Sequence, residues 1–392
     1  MRTKVKLKGG ISLIVLVITI IVMIILAAAI ILSLSNSGII GKANKAKTDS
    51  DTANLKEYVN TLRAEWELMT ADEQTAEGSF EAYANKKLEK SGYKGAVGAD
   101  GEVYSNLNEN ARKAIVAGIK VGDVVTGYTV TSTTYTTDGR ENTCDQNSHT
   151  ETNPQPQTIT TNTDITWKYL GTNANGELEI MADLSTANAV ATNTKVTLGG
   201  KGGYLNGPAM LNTICEKLYS KEGVGTARSM NIDDVNNILG YTGPKGTYYD
   251  NNNNEVKTPT ALTIGEIESK LGTTLGNGTT PDGKDLGTYY ADYYYINKTS
   301  DVKEMENPGN IDLVYNAKNT YWLASPCVSM AFGLSDANFL VRCVGSAGVD
   351  ASGAFGSNVY SSIYAYAVRP VVSLKSNIQL TRDAGETEWK IK

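Results

Sequence analysis

The stretch YWLASPCVSM, residues Tyr321 to Met330, decides the fold class of the C-terminal half of the chain. Its aromatic and branched residues favour a β-strand. Two more stretches of this kind follow, FLVRCVGSAG (Phe339 to Gly348) and YAVRPVVSL (Tyr366 to Leu374), and turn residues separate all three. Successive strands divided by glycine, serine and asparagine predict a β-sheet that holds the core of this half.

The residues upstream of these strands add a hairpin and several short helices. Ile165 to Leu170 and Leu178 to Leu184 are predicted strands joined through an Asn-Gly turn. Helices are predicted around Pro208, after the N-cap residue Asn231, and from Thr263, which begins a capping box. The sequence therefore predicts an α+β fold, in which an N-terminal helix precedes a strand-rich head.

Together with YLNG (Tyr204 to Gly207), these strands resemble a widespread bacterial surface domain that has a Trp-Leu-x-Ser-Pro segment and a closing Val-Arg-Pro strand. The resemblance covers about residues 165 to 375 and implies a fold related to C-type lectins and formylglycine-generating enzymes. We expect architectural roles for Trp322 in the core, for Arg369 paired with a buried carboxylate or with carbonyl groups, and for Pro370 at an edge position. A ligand-binding role for the three is the alternative.

The four cysteines are Cys144, Cys215, Cys327 and Cys343, and none of them forms a C-x-x-C pair. Zinc-ribbon and thioredoxin-like chemistry therefore have no support. Cys327 and Cys343 lie in adjacent predicted strands, which makes them candidate disulfide partners, and buried free thiols are the alternative. Enzymes of the formylglycine type use a cysteine pair, but nothing else of such a site is recognisable.

Other catalytic and binding signatures are missing from the sequence. The one histidine, His149, lies in a polar stretch, and the loop that begins at Asp250 has Glu255 and Ala261 where a calcium-binding loop needs glycine and a carboxylate. A net charge of -6, without a basic block beyond the extreme N-terminus, argues against nucleic-acid binding. We therefore predict a protein that is not an enzyme and has no cofactor and no metal site.

The N-terminus has the strongest pattern in the chain. A basic leader, MRTKVKLK, and the pair Gly9 and Gly10 precede the uncharged run ISLIVLVITIIVMIILAAAIIL, Ile11 to Leu32. As a helix, this run is about 33 Å long, enough to cross a bilayer. Because the basic residues lie before it, the N-terminus is expected in the cytoplasm and the rest of the chain outside.

Residues 1 to 35 resemble the type IV prepilin signal in a form common in clostridial proteins. In that family a membrane peptidase cuts after the glycine and methylates the new N-terminus, which implies cleavage between Gly10 and Ile11. The family usually has a glutamate at the fifth mature position, where this chain has Val15. Some minor pilins and pseudopilins also lack it, so a role as the major subunit is not expected. The alternative is a signal anchor that is never cut.

Between this segment and the head, residues 42 to 70 show an apolar stripe with helical spacing from Leu55 to Met69. The stripe predicts either a pilin's second half-helix or a short stalk. Residues 79 to 118 predict two further helices, and a strand from Tyr128 to Tyr135 precedes a threonine-rich exposed loop. The expected layout is leader 1–10, transmembrane helix 11–34, amphipathic stalk 35–118, strand and loop 119–164, surface domain 165–380 and tail 381–392. A fragment beginning near Ile115 is expected to fold alone.

These features predict a pilin-like or pseudopilin-like cell-surface protein that acts in filament assembly or adhesion. The expected partners are the membrane, a prepilin peptidase, other pilin-like subunits and a glycan or protein ligand. The first rival is an uncleaved, single-pass membrane receptor that binds its ligand through a lectin-like head. The second is a surface hydrolase or oxidase with a cleft between the strands of Trp322 and Arg369.

Overall fold

The computed structural model describes residues 39–183, 195–243, 248–249, 255–256, 276, 278–279, 281–283, 285–287, 294–315, 320–329, 338–356 and 363–392. The predicted leader, the apolar run from Ile11 to Leu32 and the helix predicted from Thr263 lie outside these residues. Among the helices that are described, none has the length and hydropathy needed to cross a membrane.

Three helices of the described residues, α2 (Ala71–Glu77), α4 (Glu109–Val116) and α6 (Ile232–Leu239), begin after a residue whose side chain caps them. Thr70 and Glu73 form a capping box at the start of α2, and Asn231 and Asp234 form another at the start of α6. Gly240 ends α6 in the left-handed conformation, with φ of 57°. The helices are α1 Ile39–Leu68, α2 Ala71–Glu77, α3 Phe80–Ser91, α4 Glu109–Val116, α5 Gly200–Tyr219, α6 Ile232–Leu239 and α7 Ile311–Val314.

The chain divides into two compact units, Met1–Phe80 and Glu81–Lys392. In the first unit, α1 has the predicted stripe, whose Leu55, Val59 and Leu62 are buried. At the end of this unit the guanidinium of Arg63 lies 4.1 Å from the centre of the Phe80 ring. The second unit includes residues 81 to 118, which the predicted layout assigned to the stalk.

Most strands belong to two sheets of the second unit. The strands are β1 Gly95–Val97, β2 Val103–Ser105, β3 Val124–Thr126, β4 Thr134–Thr136, β5 Thr158–Thr160, β6 Trp167–Thr172, β7 Leu178–Ala182, β8 Lys195–Gly199, β9 Gly225–Ser229, β10 Tyr248–Tyr249, β11 Glu255–Val256, β12 Gly278–Thr279, β13 Asp285–Gly287, β14 Ile296–Asn297, β15 Tyr321–Ser329, β16 Asn338–Val344, β17 Gly348–Gly356, β18 Ile363–Ala367, β19 Pro370–Leu374, β20 Leu380–Thr381 and β21 Trp389–Ile391. A six-stranded sheet has the order β14-β17-β16-β15-β18-β8, and a seven-stranded sheet has the order β20-β21-β3-β6-β7-β19-β9. The remaining described strands form the pairs β1-β2, β4-β5, β10-β11 and β12-β13.

The predicted hairpin is confirmed, because β6 and β7 pair in antiparallel register from Trp167 with Ala182 to Thr172 with Leu178. The closing stretch Tyr366 to Leu374, however, is not one strand. It divides at Val368 and Arg369, so that β18 belongs to the six-stranded sheet and β19 to the seven-stranded sheet. These two residues therefore join the two sheets.

The last residues of the chain are part of the fold and not a tail. β21 pairs in parallel with β3, with Trp389 opposite Val125, and Trp389 is buried. Residues before and after the predicted surface domain thus complete the same seven-stranded sheet. The compact unit is wider than the predicted range 165–380 at both ends.

The helix α5 contacts strands of both sheets. Its apolar residues Met210, Leu211 and Ile214 are buried in one core cluster with Trp322 and Trp389. A second cluster lies around α6 and includes Val235, Ile238 and Leu239. Burying these side chains supplies the main driving force for folding, at roughly 25 cal/mol per Å² of apolar surface.

The threonine-rich segment after residue 127 differs from its prediction. Only Thr134–Thr136 forms a strand within the predicted range, and it pairs with β5. The segment between them packs on the start of α5, where Glu151 accepts a hydrogen bond from the backbone N–H of Lys201 at 2.6 Å. A Cβ atom on Gly202 would lie 2.3 Å from the carbonyl oxygen of Arg140, so this close approach requires glycine.

Candidate functional site

Trp322 lies in the core of the second unit, with a relative exposure of 1 %. Its indole N–H donates a hydrogen bond of 2.8 Å to the carbonyl of Val196, and its ring lies 4.6 Å from that of Tyr366. The indole therefore joins β15 to β8 across β18, which lies between them in the sheet. Such a side chain has a packing role and presents no surface to a ligand.

Arg369 is equally buried, and its guanidinium holds neutral groups. Nε donates to the carbonyl oxygen of Ala182 at 3.0 Å, and one terminal nitrogen donates to the hydroxyl of Tyr321 at 3.0 Å. The sulfurs of Met230 and Met181 lie 3.5 and 3.6 Å from the two terminal nitrogens. Of the two predicted kinds of partner, the carbonyl is present, and no carboxylate pairs with Arg369 among the described residues.

Pro370 does not lie at an edge of its sheet, which corrects the predicted edge position. It is the first residue of β19, a strand with β7 on one side and β9 on the other. Proline is tolerated at the first residue of an internal strand because the hydrogen-bonded ladder starts there. Of the two stretches between which a cleft was predicted, β15 and β18 are neighbours in one sheet, and Tyr321 pairs with Ala367.

The four cysteines are buried free thiols, so the candidate disulfide between Cys327 and Cys343 is not formed. Their strands are neighbours as predicted, but Cys327 pairs with Leu340 while Cys343 pairs with Trp322. This offset of three residues separates them by about 10 Å along the strands, beyond the roughly 7 Å limit for bridged α-carbons. Burial raises the pKa of Cys343 to about 11 and that of Cys327 to about 12, which keeps both thiols protonated.

A cavity of about 630 Å³ opens elsewhere in the second unit, and none of the site residues predicted from the sequence lines it. The cavity is lined by the hairpin β1-β2, here called the hairpin wall, and by β6 and β7, here called the floor. Lys120, Val121, α6 and the segments 240–242 and 306–310 complete the lining. Separate parts of the chain therefore meet around one concave surface. A volume of this size suits a small organic ligand.

The floor of the cavity is held by Arg228, which binds two buried carboxylates. Its guanidinium contacts both oxygens of Asp234, at 2.6 and 2.8 Å, and one oxygen of Glu179 at 2.9 Å. Burial lowers the pKa of Arg228, but the bonds to Asp234 and Glu179 outweigh this effect and raise it overall. Ser373 donates to the other oxygen of Glu179 at 2.7 Å. The floor is thus a rigid network with one more carboxylate than cation.

The hairpin wall adds an acidic and aromatic group. The hydroxyl of Tyr104 donates to Asp100 at 2.9 Å. Burial and the nearby Asp100 carboxylate raise the pKa of Tyr104 above its usual value. Behind this wall, burial raises the pKa of Tyr169, and the charges of Tyr104, Asp100 and Glu179 act in the same direction. The Tyr169 hydroxyl is buried and has no hydrogen-bond partner among the described residues.

The α6 wall contains a second buried polar group. Asn236 lines the cavity, is 7 % exposed, and donates from Nδ2 to the hydroxyl of Tyr294 at 2.8 Å. Its Oδ1 accepts no hydrogen bond within the described part of the chain. Tyr241, which also lines the cavity, stacks on Tyr294 with ring centres 6.1 Å apart. An amide oxygen in this position is an acceptor with spare capacity.

The charges around the cavity are mostly negative. Five carboxylates line it, and they are opposed by one lining lysine, Lys120, and by the adjacent Arg228. The carboxylates belong to Asp100, Glu102, Glu179, Asp234 and Glu306. Across the described residues, no group of three or more His, Cys, Asp or Glu side chains has a geometry that could hold a metal ion.

Sequence reasoning missed this cavity because its residues come from distant segments, none with a recognised motif. One partial signal was available in the alternation of Asp100, Glu102 and Tyr104 along a turn-flanked segment. The predicted α6 start at Asn231 also placed Asp234 correctly in the first helical turn. Comparisons of the chain with protein-family models, with curated proteins and with solved structures gave no match.

Proposed function

We propose that the chain is a type IV pilin-like or pseudopilin-like surface protein that acts in filament assembly or adhesion. The observation behind the proposal is the basic leader that ends in Gly9 and Gly10 directly before the uncharged run Ile11 to Leu32. A long helix, α1, follows this run, and the mixed α+β unit follows the helix. This order of segments supports a pilin-like layout, with a lectin-like fold proposed for the C-terminal domain.

The proposed protein is processed between Gly10 and Ile11, spans the membrane once with its N-terminus in the cytoplasm, and displays its C-terminal domain outside. The apolar run packs against other pilin-like subunits after extraction from the membrane. Val15 in place of the family's glutamate favours a minor subunit. The chain is proposed to be neither an enzyme nor a metalloprotein.

Mechanical shearing of cells that produce the chain tests this proposal. A filament subunit appears in the sheared surface material, and its amount there falls in cells that lack a prepilin peptidase. A membrane protein of known location and a cytoplasmic protein control for lysis. Complete retention in the membrane fraction, with no effect of the peptidase, would contradict filament assembly.

The second candidate function is an anchored receptor for a glycan or protein. The cavity between the β1-β2 hairpin and α6 favours it, because this is a concave, polar surface in the unit that would face outward. Retention in membranes together with ligand binding by the intact protein would support the receptor.

A further inference from the structure

We propose that the cavity between the β1-β2 hairpin and α6 binds a small ligand that carries an ammonium group. The proposal names a ligand class for the receptor function. It depends on the residues of the second unit alone, so it holds whether or not the chain is cut after Gly10.

The cavity has more carboxylates than cationic groups. The floor carboxylates Glu179 and Asp234 share one guanidinium, and the rim adds Asp100, Glu102 and Glu306 against Lys120. The negative potential of the cavity repels an anionic ligand and attracts a cationic one. The charge of the cavity therefore selects a cation over a phosphate or a carboxylate.

The carboxylates of the cavity differ in whether other side chains already bind them. Asp234 and Glu179 are occupied by Arg228, and Asp100 accepts from Tyr104. The Glu102 and Glu306 carboxylates, in contrast, form no ion pair or side-chain hydrogen bond with other described residues. Both line the cavity, Glu102 in the β1-β2 hairpin and Glu306 in the segment 306–310, so each offers carboxylate oxygens that can accept an N–H of an ammonium group.

One buried polar atom of the cavity lining has no partner. Oδ1 of Asn236 accepts no hydrogen bond from the described residues, although Asn236 is more than nine-tenths buried and lines the cavity. A buried acceptor without a donor has lost its hydrogen bond to water and gained none in return, which costs free energy. A ligand donor, directly or through a bound water, would remove the cost at Asn236.

The lining also suits the uncharged part of such a ligand. Val103, Val121 and Leu170 give the cavity apolar patches between its polar groups. An aliphatic stem, as in a lysine side chain, or the apolar face of an amino sugar packs on such patches. A bare metal ion would make no favourable contact with these apolar patches, and the described residues contain no metal-ligand cluster.

Isothermal titration of the full-length protein in a mild detergent tests the proposal with two matched probe pairs. Nα-acetyl-lysine methylamide is compared with its norleucine analogue, and glucosamine with N-acetylglucosamine. The charged member of at least one pair should bind about tenfold more tightly than its neutral partner. Its affinity should fall as salt rises from about 0.01 to about 0.15 M, because screening weakens the attraction. The pair that responds identifies a peptide or a sugar source.

The double variant Glu102→Gln/Glu306→Gln should raise the Kd of the charged probe about tenfold. The double variant Glu89→Gln/Glu216→Gln removes the same charge from exposed positions that do not line the cavity, and it should leave the Kd within about twofold. Thermal melting verifies that both variants fold. Equal binding of charged and neutral probes, binding of no probe, or an equal loss in both double variants would overturn the proposal.

Discussion

Arg369 shows how a buried charge can be held by neutral groups. The guanidinium reaches the Ala182 carbonyl and the Tyr321 hydroxyl at once, and its ring contact with Tyr321 has a cation-to-centroid distance of 5.2 Å. Tyr321 in turn donates to the carbonyl of Val314 at 3.0 Å. Arg369 thus contacts β7 of the seven-stranded sheet and β15 of the six-stranded sheet at the same time.

Replacing Arg369 by lysine should destabilise the protein by about 2–4 kcal/mol, because lysine lacks the planar guanidinium whose Nε and terminal nitrogen reach the two buried acceptors from separate positions. Urea unfolding followed by tryptophan fluorescence measures the change. The matched control is Arg382→Lys, since Arg382 is exposed and only lies over the Trp389 ring. The control should change stability by less than about 0.5 kcal/mol. Equal effects of the two substitutions would show that the Arg369 contacts contribute little.

Glu141 is a completely buried carboxyl group in the segment that packs on α5. One oxygen accepts hydrogen bonds of 2.6 Å from Thr137 and from Gln157, and the other has no partner among the described residues. Burial raises the pKa of Glu141, and the two hydrogen bonds offset only part of this effect. The folded state therefore retains the proton at pH values where the unfolded state has already lost it.

Glu141 makes stability depend on pH with a definite sign. Burying the ionised Glu141 carboxylate costs free energy, and this cost is absent below the pKa that Glu141 has in the unfolded chain. The cost grows as the pH rises from that value through the raised pKa of the folded protein, so the free energy of unfolding falls between the two pKa values. Glu141→Gln should remove that fall and raise the melting temperature near neutral pH. Melting curves across pH check this, with the exposed Glu89→Gln as control. A variant with the pH profile of the wild type would contradict the buried-acid account.

At the scale of elements, the C-terminal strand β21 completes the seven-stranded sheet. Trp389 is 1 % exposed, and its indole donates to Asp123 at 3.0 Å. Trp389→Ala should cost about 3–5 kcal/mol, since it leaves a cavity and removes a buried hydrogen bond. The exposed neighbour Glu388→Ala is the control for urea unfolding. A cost near zero at Trp389 would restore the interpretation of residues 381–392 as a tail.

Elements formed by neighbouring residues were predictable from sequence. The β6-β7 hairpin and the capped start of α6 depend on turn and capping residues that lie next to the elements they define. The parallel pairing of β21 with β3 joins residues about 260 positions apart, and no local pattern encodes it. The division between β18 and β19 was missed for a related reason, because both strands lie in one stretch with strand-forming residues although they enter different sheets.

The candidate site was harder to predict from local sequence patterns than the strands were. Its named sequence candidates, Trp322 and Arg369, are core residues, whereas the cavity is assembled from the hairpin, the floor strands and α6. Polar residues such as Glu102 and Glu306 look like ordinary surface charges in sequence. Only the tertiary structure places them around one volume.

At the scale of the whole molecule, the second unit should fold without the first. Leu107, Ala111 and Ala114 belong to the same core cluster as Trp389, so a fragment that begins near Ile115 lacks part of its core. We expect fragment 81–392 to be soluble and to melt cooperatively, and fragment 119–392 to aggregate. Circular dichroism and size-exclusion chromatography compare them. A well-folded fragment 119–392 would contradict this boundary. If fragment 81–392 aggregates while fragment 39–392 is soluble and melts cooperatively, the second unit needs the first unit in order to fold.

The account of the whole molecule depends most on how its N-terminus is processed. Mass spectrometry of the surface protein identifies its first residue and any modification of it. The pilin-like account predicts a chain that begins at Ile11 with a methylated amine, and loss of this form in Gly10→Val but not in the control Gly9→Ala. Surface protein that begins at Met1 or Arg2 in every case would contradict the account and support an uncut signal anchor.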